Sequence, residues 1–475
     1  MQSYDSRGSW FLPGTPDRVV RGILKYSPAT GAELVIDGLL EDLDSPLELR
    51  RYDTILGTMD DGTEVTLYDT FMASVDTIVA NQVFLGHHFR GRDEIRCLEI
   101  RAEYTHLNEW ALLVGHDIWT GEQTRLSGIE VDYHQAPTEY RVLLTVPHHE
   151  VLYQSNRFTA YLEIVCTPPS LRAVQTDATV KQRAVIRLVF TDPTALDECD
   201  RLVVQIRDFV ALASIRPVHV SSLQIMVPSE KPASRPWIDV LRAAASPVED
   251  NKARHRMLFY YSQVRSRISD LLDQWFGKAE LLEPVRALHS VMTYDRAGYL
   301  ELEFISIVQA LESYHRRFRQ GRYVDDVVYS NHVLPALVGA IPIGNGISSE
   351  FRDTLKGRMR HLNEYSLKKR IKHILDELGA DLCEGFIDSP KAFAQKVADT
   401  RNYLTHYSPG LKDSSATRSR LLVLALKLKI ILELCLLGEL GLTHDKIVGL
   451  FRECSKYQMS LKWFRELDAD SRAQQ

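Results

Sequence analysis

Val227-Pro228-Ser229-Glu230-Lys231-Pro232-Ala233-Ser234-Arg235-Pro236 holds three prolines in ten residues. Proline locks its own φ and lacks the N–H that helix and sheet both use, so the stretch resists either structure and reads as a linker. A domain boundary is therefore expected near residue 230, and the hydrophobic period changes across it. On the amino-terminal side, from residue 18 to about 227, apolar residues alternate in short runs separated by turn residues, the pattern of half-buried strands. Glu33-Leu34-Val35-Ile36-Asp37, Arg141 to Val146, Thr159 to Val165 and Ala184 to Phe190 are such runs. Asp60-Asp61-Gly62-Thr63 between two of them predicts a hairpin turn, with glycine where positive φ is needed. One helix, starting at Asp192-Pro193 and striped by Leu202, Ile206, Phe209, Val210 and Ala213, precedes a last strand over Val220 to Val227.

On the carboxy-terminal side the period is helical. Helices are predicted over Leu258 to Phe276, Leu281 to Met292, Tyr299 to Arg319, Ser349 to His361, Ser366 to Leu378, Lys391 to His406, Thr417 to Leu440 and His444 to Met459. The fold class expected is α+β and multidomain: a β-rich domain over residues 1–230, a helical connector over 231–295 and an all-α bundle over 296–465. The most apolar stretch, Leu421 to Leu440, carries Lys427, Lys429, Glu433 and Glu439, which suits a core helix rather than a membrane span.

The 475 residues carry 57 Lys plus Arg against 63 Asp plus Glu, a net charge of −6, with 45% apolar residues. That is the composition of a globular protein and excludes disordered and collagenous chains. Cysteines 97, 166, 199, 383, 435 and 454 form no Cys-x-x-Cys pair and read as reduced thiols. The amino terminus has neither the basic nor the apolar region of a signal peptide, and the compartment expected is the cytoplasm. Phosphate-binding glycine loops, the Gly-x-Ser-x-Gly elbow and His-Glu-x-x-His are missing, which removes most nucleotide hydrolases, dehydrogenases, lipases and zinc proteases. Ile343-Gly344-Asn345-Gly346-Ile347 reads as a turn. His87-His88 and His148-His149 are adjacent residues in β-type segments, so each pair faces opposite ways and no metal site is expected there. No cofactor is expected.

One constellation carries chemistry. Ser389-Pro390 is a helix start, serine as cap and proline at the first position, and Phe393, Val397 and Leu404 give the helix its apolar side before Pro409-Gly410. Within it lies Asp399-Thr400-Arg401-Asn402-Tyr403-Leu404-Thr405-His406-Tyr407. Asn402 and His406 are one turn apart on one face and Arg401 flanks them. Imidazole titrates near neutrality and can take the proton of a ribose 2′-hydroxyl or give one to a departing 5′-oxygen. Guanidinium keeps its charge and matches two phosphate oxygens, so it can stabilise negative charge at phosphorus. Asn402 can hold the imidazole tautomer or bind the ribose. The alternative is that Arg401 and His406 are ordinary polar residues on a solvated helix face.

Arg401, Asn402 and His406, an arginine, a polar residue and a histidine four to six positions after the arginine, resemble the signature of HEPN-superfamily ribonucleases. Leu302 to Phe318, with Glu312 inside it, looks like the matching helix of the Apea-type branch. Trp10-Phe11-Leu12-Pro13-Gly14 leading into Val20-Arg21-Gly22-Ile23-Leu24 is similar to the N-terminal domain that accompanies that branch. The resemblance implies a HEPN helical bundle that forms a homodimer, with two arginines and two histidines facing one cleft. It implies metal-independent cleavage of RNA, tRNA among the candidates, to a 2′,3′-cyclic phosphate, and abortive infection against phage by shutting down host translation. Arg401, Asn402 and His406 become the catalytic candidates, with Glu312 and Tyr407 in support; a helix-to-helix salt bridge is the other reading of Glu312.

Residues 350–373 hold eight Lys or Arg against three acids, and Arg316, Arg317, Arg319 and Arg322 cluster at the end of the Glu312 helix. Arg316, Arg317, Arg358, Arg360, Lys368, Lys369 and Arg370 are the RNA-binding candidates, their alternative being a solvated face. The β-rich half shows no chemistry and is expected to sense or regulate, with a phage component as trigger. The competing class is a non-catalytic HEPN scaffold whose β domain binds a protein or phage ligand.

Overall fold

In a computed structural model of the chain, the described residues are 3–42, 50–113, 116–120, 124–125, 140–144, 148–167, 180–229, 236–243, 257–294, 299–342 and 346–473. They form two compact units, Met1–Asp273 and Gln274–Gln475. The first contains strands β1 (Tyr4–Leu12), β2 (Thr15–Ser27), β3 (Gly31–Ile36), β4 (Arg51–Met59), β5 (Glu64–Met72), β6 (Thr77–Leu85), β7 (Arg96–Tyr104), β8 (His116–Thr120), β9 (Thr124–Arg125), β10 (Tyr140–Leu144), β11 (His148–Gln154), β12 (Phe158–Thr167), β13 (Lys181–Ala195), β14 (Val220–Met226) and β15 (Ile238–Leu241). Helices α1 (Leu107–Ala111), α2 (Leu196–Ser214) and α3 (Tyr261–Val264) belong to the same unit.

Twelve strands pair in the order β11-β12-β13-β7-β14-β15-β6-β3-β2-β1-β4-β5, and β5 pairs with β6 as well. That extra pairing closes β1 to β6 into a barrel, which removes the sheet edges there. Period-two alternation turns Trp10, Leu24, Leu34, Ile55, Val65, Leu67 and Val83 into its packed interior. β8, β9 and β10 form a separate three-stranded sheet. The predicted hairpin joins β4 to β5: Gly62 has φ +87°, and the Thr63 amide donates to Asp61 Oδ1 at 2.9 Å.

Trp10 sits opposite Gly57 in the β1–β4 pair, and a Cβ at Gly57 would overlap the indole ring. Gly57→Ala is thus expected to lower the unfolding free energy by about 2 kcal/mol through overpacking, read from denaturant unfolding. An unchanged midpoint would show that the Trp10 ring is free to move aside.

The proline-rich stretch is not a division between the units. β14 and β15, which flank it, are antiparallel neighbours, with Ile225 opposite Ile238. The reason is that prolines exclude regular pairing only where they stand, and the chain resumes a ladder at Ile238, two residues after Pro236. The first unit continues to Asp273, well past the boundary expected near 230. The predicted helix start at Asp192-Pro193 is likewise displaced. Both residues lie in β13, where the register shifts between Val189 and Thr194, and a bulge tolerates a proline that has no N–H to give the ladder. α2 begins three residues beyond Pro193, with its apolar stripe buried. His87 and His88 follow β6 rather than lying in a strand: the His87 ring packs on Phe89, and His88 Nε2 is 2.7 Å from the Gly57 carbonyl.

Helix α4 (Ile268–Gly277) spans the division, and the second unit is helical: α5 (Ala279–Tyr294), α6 (Leu300–Arg319), α7 (Asp326–Val328), α8 (Leu334–Gly339), α9 (Ser349–Met359), α10 (Leu367–Leu378), α11 (Ala380–Cys383), α12 (Pro390–His406), α13 (Ser419–Glu439), α14 (His444–Glu453) and α15 (Ser455–Ala473). The helix predicted over His444 to Met459 is two helices, because buried Cys454 is extended. Of the expected turn at 343–347, residues 343–345 lie outside the described residues.

α13 is buried nearly all round, as a central core helix must be. Its acids are satisfied inside the bundle: Glu433 accepts from Tyr457 at 2.7 Å and lies 3.1 Å from His289, and Glu439 accepts from Lys278 and Tyr314, both at 3.0 Å. Among the described residues no helix is long and apolar enough to cross a membrane. All six cysteines are free thiols, five of them buried.

Candidate functional site

The site is built on α12. Ser389 caps it, its Oγ accepting from the Ala392 amide, and Pro390 occupies the first turn as the sequence predicts. Ala394, Val397, Ala398 and Thr400 face the bundle. Thr400 is wholly buried and clamps the helix: its Oγ1 donates to the Lys396 carbonyl at 2.7 Å and accepts from the Ala416 amide at 2.9 Å. With Thr400 turned inward, the residues that follow it reach the surface. Tyr407 takes φ +48° as the C-cap, which ends the helix one residue after His406.

Arg401 is about one-third exposed and held from two sides. Its Nη1 donates to Asn402 Oδ1 at 3.1 Å, and its Nη2 stands 3.6 Å from Glu312 Oε2 on α6. His406 is exposed one turn beyond Asn402. The structure therefore brings Arg401, Asn402 and Glu312 together and leaves His406 on open surface beside them. Tyr407 is turned to Tyr403, ring to ring at 5.7 Å, and is exposed.

Glu312 is the near end of a charged network that the sequence does not reveal. On α6 the residues Glu312, His315, Arg316 and Arg319 follow the i, i+3, i+4, i+7 rule and share one side of the helix, while Phe304, Ile307, Val308 and Leu311 fill the core. Arg316 donates to Glu312 at 3.1 Å and also to Glu364. Glu364 further meets Arg322 at 3.2 Å and His361 at 3.4 Å, and the hydrogen bond from Arg316 holds its carboxyl at about 2, well below the usual range.

Arg370 is a correction to the RNA-binding set. Its side chain is 0% exposed, with Nε donating to the Tyr365 carbonyl and Nη1 to His315 Nδ1 and the Gln320 carbonyl, all at 3.0 Å. A guanidinium enclosed in that way cannot reach a phosphate. Because Arg370 can only donate, His315 Nδ1 accepts, and the ring proton is left on Nε2, 3.3 Å from His373 Nδ1. Burial, then the charge of Arg370, hold His315 down to about 4. The second expected basic cluster is largely neutralised too: Arg319 pairs with Glu377 and Glu439, and Arg322 with Asp326 and Glu364. Arg317 is exposed and donates to the Glu280 carbonyl at 3.2 Å. Arg358, Arg360 and Lys369 lie at the surface, Lys368 is half-buried, and Lys369 stands over the Tyr365 ring.

Sequence reading missed Glu364, His315 and His373. The signal available was Glu364 itself, an acid isolated within a basic run, which marks where cations are gathered around a carboxylate.

A β-rich unit followed by an all-helical unit, with an arginine, asparagine and histidine near the end of one bundle helix, is the architecture these observations define. A family model described as Apea-like HEPN matches residues 305–446, which hold Glu312, Arg401, Asn402 and His406, so the second unit is a HEPN bundle. A model described as ApeA N-terminal domain 1 matches residues 5–275, more than half of the chain, and the chain belongs to the ApeA family. Comparison with curated proteins and with solved structures finds no match.

Proposed function

We propose that the chain is a metal-independent endoribonuclease of anti-phage defence, acting in the cytoplasm as a homodimer through its HEPN bundle. The observation that carries this reading is the partly exposed Arg401 guanidinium, held between Asn402 and Glu312 with the His406 imidazole exposed one turn on. HEPN domains are typically ribonucleases, and they often dimerise and bind RNA.

In the proposed step the ribose 2′-oxygen attacks phosphorus as its proton passes to a His406 imidazole. The P–O5′ bond breaks, the 5′-oxygen leaves with a proton from the second imidazole of the dimer, and a 2′,3′-cyclic phosphate remains. Arg401 stabilises the charge on the phosphoryl oxygens, while Glu312 and Asn402 keep its fork oriented. Arg317, Arg358, Arg360, Lys368 and Lys369 supply the backbone attraction, which gives binding a steep salt dependence. The first unit senses a phage-derived trigger and restrains the nuclease, and the RNA, tRNA among the candidates, is cut to stop host translation.

The test is incubation of the full chain with total cellular RNA and with tRNA in EDTA, with and without infected-cell lysate, followed by end mapping. New ends bearing cyclic phosphate are the expected result. Intact RNA in every condition would remove the nuclease and leave a HEPN scaffold whose β-rich unit binds a protein or phage ligand.

A further inference from the structure

A pocket of about 520 Å³ lies at the start of α12, the opposite end of that helix from Arg401 and His406. Its volume falls in the range that small organic ligands occupy. Phe386, Phe393 and Val423 contribute apolar lining, and Lys396, Arg420 and Lys427 bring three cations against the single acid Asp388, a local excess of two positive charges. Lys396 is half-buried, and its Nζ stands 3.5 Å from the Ser415 carbonyl, at the limit of a hydrogen bond. Burial and the neighbouring Arg420 both hold the Lys396 ammonium below its ordinary range. Two like charges crowded beside apolar side chains are unfavourable unless an anion comes between them. The positive end of the α12 dipole adds to the same field.

We propose that this pocket binds a phosphate monoester with an apolar body, its dianion between Lys396 and Arg420 and its aromatic or aliphatic part against Phe393 and Val423. The charge excess of two matches a dianion, and the apolar lining distinguishes the ester from free phosphate. Such a ligand ties the start of α12 to the start of α13, and the segment that leads into α13 is already fastened to α12 by the Ala416 amide on Thr400, the residue before Arg401.

The test is calorimetric titration of the full chain with phenyl phosphate, beside phenol and inorganic phosphate. One saturable site is expected, with phenol and inorganic phosphate each at least about tenfold weaker, as loss of either half of the contact requires. Lys396→Gln and Arg420→Gln are each expected to weaken phenyl phosphate about tenfold. Lys391→Gln, on the same helix but outside the pocket lining, is expected to bind as wild type does. Equal affinity in all four proteins, inorganic phosphate binding as tightly as the ester, or no saturable binding would each overturn the proposal.

Discussion

RNA cleavage by the His406→Ala variant is expected to fall about 10³-fold below wild type, within the range a positioned acid–base group contributes. Its thermal unfolding is expected to stay unchanged, because the His406 side chain is exposed and packs into no core. Arg401→Ala removes the group opposed to the phosphoryl charge and is expected to lose about 10²- to 10³-fold. Arg401→Lys keeps the charge but loses the planar fork that reaches both Asn402 and Glu312, and an intermediate loss of about tenfold or more is expected. Glu312→Gln leaves Arg401 in place with a weaker orienting partner, so its loss belongs in the rate constant of cleavage rather than in RNA affinity. The measurement is the single-turnover cleavage rate in EDTA for each variant. A His406→Ala protein that cuts at the wild-type rate would end the assignment.

Acid is expected to weaken the fold well before the carboxylates titrate, and His315 is the reason. Its folded pKa of about 4 lies below the ordinary histidine value of about 6.5, so between those values the unfolded chain binds more protons than the folded one. Stability from this group is complete above pH 6.5 and is lost as the pH falls from about 6.5 to about 4. A shift of that size corresponds to about 3 kcal/mol. Burial is the larger cause, and the Arg370 fork adds to it: it donates to Nδ1, so protonating that nitrogen sets two donors against each other inside the bundle. Glu364, held at about 2 by Arg316, acts in a lower window, its contribution fading from about 4.5 down to 2. Denaturant unfolding at a series of pH values reads both. His315→Gln can still accept from Arg370 and donate to His373, and it is expected to flatten the profile above pH 4. The same slope in that variant would assign the effect elsewhere.

The two effects are separable, although they meet on α6. Glu312 faces α12 and the candidate site, and His315 three residues later faces α10 and Arg370. Loss of activity at pH 5 can therefore come from the candidate site or from the scaffold. Comparing the cleavage rate of His315→Gln with wild type at that pH tells them apart.

By itself the sequence determined the local structure, because strand alternation, helical period and caps are short-range properties. The barrel strands β3, β4 and β5, the Asp61-Gly62 turn, the serine and proline that start α12, and the placement of Arg401, Asn402 and His406 on its last turns were legible in that way. Tertiary structure decided which segments the three prolines join, since whether β15 pairs with β14 depends on strands more than a hundred residues away. It also decided which cations remain available. Residues 350–373 and 316–322 look equally basic as text, yet Arg316, Arg319 and Arg322 meet carboxylates more than forty residues away in the chain, and Arg370 is enclosed by His315, Tyr365 and Gln320. Charge is a property of a residue, but its partner is a property of the fold: an ion pair forms across whatever distance in sequence the packing of the helices closes.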